Sequence, residues 1–140
     1  MKDVVIVDGD ALQFLPLFGN RLVMAAPAQI RSSGSRKING KAVSVSGDEK
    51  KVRVNATYTT PTHPIPGSGI ITISSLSNDQ VARHSSSQMA LIVKGQQFTA
   101  QFLPTQPATT TVPPGTPPDV TTPSTGKGMF ISTQFKVKAD

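Results

Sequence analysis

Apolar residues in this 140-residue chain fall into short runs broken by turn-forming pairs, with a period of two wherever a period is visible. In KVRVNATY, Val52, Val54, Ala56 and Tyr58 share one face, while Lys51, Arg53, Asn55 and Thr57 share the other. In MFISTQFKV the period puts Met129, Ile131, Thr133, Phe135 and Val137 on a common face. Strict alternation is the pattern of a half-buried β-strand. Three pairs of runs flank a tight turn: LQFLPLF and RLVMA around Gly19-Asn20, SRKI and KAVSV around Asn39-Gly40, and ALIV and QQFTAQF around Lys94-Gly95. Each predicts a hairpin, because these residues tolerate positive φ. Pro16 cannot donate to a ladder and marks its strand as an edge or as irregular there. Only SNDQVARH, with Ser77 or Asn78 as a cap, reads as a helical turn. The expected fold is all-β.

Two stretches depart from plain alternation. PTHPIPGSGIITI stiffens the approach to a strand with Pro61, Pro64 and Pro66, and its Ser68-Gly69…Ile73 spacing repeats that of Ser33-Gly34…Ile38. An imperfect internal repeat points to an architecture built from small similar units. Residues 104–126, PTQPATTTVPPGTPPDVTTPSTG, hold seven of the twelve prolines and eight threonines, with Asp119 as the one charge. That composition favours extended, polyproline-like backbone and no core. It predicts a long surface loop, either a mobile tolerated insertion or a contact arm.

The length fits a single domain over residues 1–140. Without cysteine there is neither a disulfide framework nor a thiolate ligand or thiol nucleophile. No apolar run is long enough for a signal peptide or a membrane span. The net charge of +6 raises nucleic acid, since half of the basic residues lie between Arg31 and Arg53. Asp48 and Glu49 interrupt that segment and no aromatic in it can stack on a base, so a solvated strand face is the plainer reading.

Catalysis finds little support. His63 and His84 are the only histidines; Ser85 to Ser87 beside His84 lack a strained nucleophile turn, and Asp8 and Asp10 in VDGD are separated by a turn-forming glycine. No phosphate-binding glycine loop precedes a helix. The expectation is no catalytic residue, no cofactor-binding residue and no assigned metal ligand. His63 and His84 flank the GIITI strand, so a metal held by both is one arrangement and two separate imidazoles the other.

GSRKINGKAVSVSGDE, followed by TPTHPIPGSG and a β run, resembles the PAAR-repeat proteins. The resemblance is closer to the PAAR-like tips of phage-tail-like extracellular injection systems, such as the Photorhabdus virulence cassette and the antifeeding prophage. GDALQFLPLFGNRLVM, INGKAVSVSGDEKKVRV, PGSGIITISSLSNDQVAR and LIVKGQQFTAQFLPTQPA carry it, over roughly residues 9 to 108. It implies a small conical domain, one copy capping a homotrimeric, VgrG-like spike and sharpening it for envelope piercing, with a toxin cargo as a further partner. Transient contact with the target membrane is implied, nucleic acid is not, and the particle would be assembled in a bacterial cytoplasm and released or fired. Members of that family resemble one another in an apical three-histidine, one-cysteine metal site. Here the cysteine is missing, and only His63, with His84 as a second candidate, stands for the ligands of a zinc or iron. Either packing holds the point or the ligands differ. The competing reading is a stand-alone basic β-barrel that binds nucleic acid or polysaccharide.

Overall fold

The computed structural model describes residues 3–82, 90–134 and 137–139. Among these residues there are fourteen strands and two short 3-10 turns, and the expected all-β class holds. One eight-stranded antiparallel sheet dominates. It contains β2 (Ala11–Phe14), β3 (Leu17–Phe18), β4 (Arg21–Ala25), β5 (Ala28–Gln29), β8 (Val54–Thr59), β9 (Gly67–Ser75), β12 (Phe98–Gln106) and β13 (Ser124–Ile131), in the order β3-β4-β8-β9-β12-β13-β2-β5. Three two-stranded sheets complete the fold: β1 (Asp3–Val4) with β14 (Lys138–Ala139), β6 (Lys37–Ile38) with β7 (Lys41–Ala42), and β10 (Val81–Ala82) with β11 (Leu91–Ile92).

The large sheet curls into a half-barrel whose flanks the chain itself joins. β2 pairs with β13 and β3 pairs with β4, yet only Leu15 and Pro16 separate β2 from β3. Pro16 thus sits at the break, where its missing N–H costs no ladder bond. Inside the curl lie Phe18, Tyr58, Ile71, Phe98, Phe102 and Phe130, each at most 1% exposed. Their rings meet edge-on or tilted, with centroids 5.0 Å apart for Tyr58 and Phe102 and 5.1 Å for Phe98 and Phe130. Such contacts add to the burial of large apolar surfaces.

Val52, Val54, Ala56 and Tyr58 do face this core. The last alternating segment behaves otherwise: its inward parity is Phe130, Ser132 and Gln134, while Ile131 and Val137 are exposed. The reason lies just upstream. Gly126 and Gly128 face inward because the Phe18 and Phe98 rings lie against them, and their parity carries on to Phe130. Phe135 lies outside the described residues.

The hairpins around Gly19-Asn20 and Asn39-Gly40 form as expected, the latter with φ of 53° and 81°. Lys94-Gly95 makes no hairpin, since β11 pairs with β10 while β12 pairs with β9 and β13. The helical turn is a 3-10 turn, Asn78–Gln80, capped by Ser77, whose N–H donates to the Gln80 side chain at 3.1 Å. A second 3-10 turn, Asp48–Lys51, was not foreseen. The Ser33-Gly34 and Ser68-Gly69 echo has no structural counterpart: one lies in an irregular loop against Val43, the other inside β9.

The proline- and threonine-rich segment also departs from its reading. Residues 104–106 extend β12 and 124–126 open β13, with Pro104 beyond the β13 pairing, where its outer side is free. The intervening residues form a strap, closed by a turn at residues 113–116 rather than continuous extended backbone. Asp119, the segment's one charge, accepts from the Tyr58 hydroxyl at 2.8 Å and from Arg21 Nε at 3.1 Å. Arg21, 3% exposed, also donates to the carbonyls of Val120 and Thr122 and lies 5.3 Å over the Tyr58 ring. Ala108 is fully buried and donates its N–H to the Tyr58 oxygen, so the segment contributes to the core after all. Ile65 and Thr109 exchange both main-chain hydrogen bonds, fastening the strap to the proline-stiffened stretch.

Burial raises the Asp119 carboxyl, but hydrogen bonds from Tyr58 and Arg21 and the Arg21 charge outweigh it and hold the group below its ordinary value. A depressed carboxylate stabilises the fold above its unfolded pKa, near 4, and that stability is lost as pH falls through the lower folded value. Urea unfolding between about pH 5 and pH 2 is expected to show this loss, and Asp119→Asn to flatten it. A methyl built at Gly128 lies 2.6 Å from the Phe98 ring. Gly128→Ala should therefore cost about 1–3 kcal/mol by overpacking, read as a lower urea midpoint at unchanged slope.

Candidate functional site

Three short segments that belong to different parts of the chain share one form: an apolar residue, any residue, Val, any residue, Gly. They are Val5-Ile6-Val7-Asp8-Gly9, Val43-Ser44-Val45-Ser46-Gly47 and Leu91-Ile92-Val93-Lys94-Gly95. All three glycines have positive φ, at 88°, 108° and 52°, so each unit ends in the same backbone reversal.

The units close a ring. Ile6 N–H donates to Ile92 O at 2.9 Å, Ile92 N–H to Ser44 O at 2.9 Å, and Ser44 N–H to Ile6 O at 2.8 Å. A second, outer set repeats the relation: Asp8 to Ala42 O at 2.8 Å, Ser46 to Ala90 O at 2.8 Å, and Lys94 to Val4 O at 2.9 Å. The antiparallel bridges are cyclic too: Val7 with Val43, Val45 with Leu91, and Val93 with Val5. Each segment pairs through its first half with one neighbour and through its second half with the other. The result is a pseudo-threefold triangle of strands made from one chain.

Its two faces differ. Ile6 and Ile92 point into the barrel core, whereas Val5, Val43, Val45, Leu91 and Val93 form a second core with Ala82 and Ile38. The alternation of strand side chains separates the two sets. Each unit is backed by an outer strand segment. Val5 N–H donates to Val137 O beside β14, Val43 N–H to Arg36 O beside β6, and Leu91 pairs with Ala82 in β10. The three two-stranded sheets are thus corresponding sectors around one axis.

Buried carboxylates hold the reversals. Asp10 accepts from Val7 N–H, Thr133 N–H and the Thr133 hydroxyl; Asp48 accepts from Val45 N–H, Ser33 N–H and the Ser33 hydroxyl. The third unit carries Gln96 there, and Val93 N–H donates instead to Gln80 O at 2.9 Å. These carboxylates are committed chiefly to main-chain and hydroxyl donors, with Lys51 Nζ a further 3.8 Å from Asp48. Asp8 likewise accepts from Ser32 N–H at 2.8 Å, so the VDGD acids are turn fasteners.

His63 has both ring nitrogens engaged: Nε2 donates to Pro117 O at 2.9 Å, which leaves Nδ1 to accept from the Thr62 hydroxyl at 2.9 Å. His84 and Ser85 to Ser87 lie outside the described residues. No three of His, Cys, Asp or Glu converge among the described residues, and His84, the second candidate ligand, is not one of them. The triangle was missed by the sequence reading. Its signal was present as the thrice-repeated apolar-x-Val-x-Gly pattern.

No helix among the described residues is long and apolar enough to cross a membrane. No curated protein matches the chain. The family model for the contractile injection system spike tip protein matches residues 1–140. A single chain folded around a pseudo-threefold axis is thus a member of the contractile injection system spike tip family.

Proposed function

We propose that one copy of this chain caps the end of a homotrimeric spike, with its pseudo-threefold axis along the threefold axis of the trimer. Sheath contraction would drive the pair through a target envelope after the particle, assembled in a bacterial cytoplasm, is released. The role is mechanical: force is concentrated on a small, densely hydrogen-bonded body, and no substrate turns over. The ring through Ile6, Ser44 and Ile92 is the observation that carries this reading.

A three-chain β-structure ends in three equivalent open ladders, which invite unwanted strand pairing unless covered. A monomer covers them evenly only if it repeats a surface three times, and the corresponding sectors of β14, β6 and β10 supply that repetition. Strand addition would contribute main-chain hydrogen bonds at each sector. Family membership gives the place at the spike; the ring supplies a reason for the number of copies.

Co-expression with the cognate spike, followed by native mass spectrometry, should yield one tip per three spike chains. The complex should persist in about 1 M salt, where the screening length falls to about 3 Å and surface ion pairs fade. Equal numbers of tip and spike chains, or no complex, would defeat the single-copy cap.

A further inference from the structure

The basic residues between Arg31 and Arg53 flank the triangle's second unit, Val43–Gly47, without joining its ring, and the fold gives three of them a defined setting. β4 and β5 diverge after Ala25: β4 pairs with β8, whereas β5 turns away to pair with β2. The divergence opens a cleft of about 560 Å³ whose lining includes Arg31, Lys51 and Arg53. A second cleft of about 520 Å³, lined by Met24 and Ile70 among others, shares Ala26 and Asn55 with the first. The Ala26 N–H donates to Asn55 O at 3.0 Å where the two meet.

The two clefts adjoin at Ala26 and Asn55 and together make a groove beside the outward face of β8. Lys51, Arg53, Asn55 and Thr57 are exposed along it. At about 3.3 Å per residue the extended part of this row, from Arg53 to Thr57, spans about 13 Å, enough for roughly four extended residues. One end is cationic. Arg31 reaches Asp8 only at 3.9 Å, and Lys51 lies 3.8 Å from an Asp48 already committed to Ser33 and Val45. Arg53 forms no ion pair among the described residues. The other end is apolar, with Met24 63% exposed.

We propose that this groove receives an extended acidic segment of a partner protein, with an apolar residue seated against Met24 and Ile70 and carboxylates facing Arg31, Lys51 and Arg53. The inference goes beyond spike capping and does not depend on it. Charge complementarity selects the occupant. Nucleic acid fits less well, because neither cleft has an aromatic lining residue on which a base could stack, and the cations gather at one end instead of tracking a backbone. A sugar chain would also lack an aromatic platform.

The test uses the full chain and the fluorescein-labelled peptide GLVDEDEG, read by fluorescence anisotropy. Saturable binding is expected. Combining Lys51→Glu with Arg53→Glu should weaken it at least tenfold, and the uncharged replacement Met24→Ser should weaken it as well, which a purely ionic encounter would not show. Lys127→Glu, on the outer face of β13, should change it less than twofold. All four positions are exposed, and circular dichroism melting confirms that each variant folds. Failure to saturate by on the order of 1 mM peptide would overturn the proposal, as would equal loss with Lys127→Glu. Tighter binding of an oligothymidylate, abolished by the same double reversal, would replace it with a nucleic-acid groove.

Discussion

Three main-chain hydrogen bonds arranged in a cycle constrain this molecule more than any other feature. An ordinary hairpin can slip in register, because its pairing is linear and open at both ends. The cycle through Ile6, Ser44 and Ile92 has no end: moving one segment by a residue breaks its bonds with both neighbours. It also mixes near and far parts of the chain, since the first unit starts at Val5 and the third at Leu91. Barrel and second core are thereby joined through shared strands. Ile6 and Ile92 belong to one core, and their immediate neighbours Val5, Leu91 and Val93 to the other.

Much of the fold was legible because local rules were not overridden. Val52 to Tyr58 alternate as a half-buried strand must, and Asn39-Gly40 turns as its tolerance of positive φ allows. The triangle was harder to see, for physical reasons. Each unit is only five residues long, and the units recur at unequal spacings. Their fastening is not conserved in kind either: carboxylates of Asp10 and Asp48 hold two units, while the carbonyl of Gln80 replaces the third. Three hydrophobic runs ending in glycine look like three hairpin strands until their pairing is known, which is why Lys94-Gly95 was assigned to a hairpin. Inward parity in β13 was hidden for a different reason. The inward-facing residues that set it, Gly126 and Gly128, carry no side chain and so leave no mark on a hydrophobic pattern.

The strap shows how one charge can govern a segment whose composition favours no structure. Prolines and threonines around it have little to bury, so order has to come from a few strong contacts. Asp119 is placed where Arg21 and Tyr58 both donate, and Arg21 is itself nearly buried. Leaving that guanidinium without an acid would strand a charge in the protein, a far larger penalty than the loss of a surface ion pair. The Tyr58 hydroxyl donates to Asp119 and accepts from Ala108, so a core aromatic also positions the loop. Burial, and then the neighbouring carboxylate, push the Tyr58 hydroxyl up, which keeps it protonated to donate in that contact.

Pseudo-symmetry has a further consequence under the single-copy reading. A trimeric spike presents every surface three times, whereas a lone tip presents its strap and its basic groove once. Features that break the threefold relation therefore cost nothing in evenness at the ring, provided that they lie outside it. The strap is fastened through the barrel strands β4 and β8, and the groove runs along β8, which lies in the large sheet and not in the three small ones. The chain thus separates two demands. Under that reading its short units would meet the symmetry of a three-chain partner, and its curled sheet would carry the surfaces that need exist only once per particle.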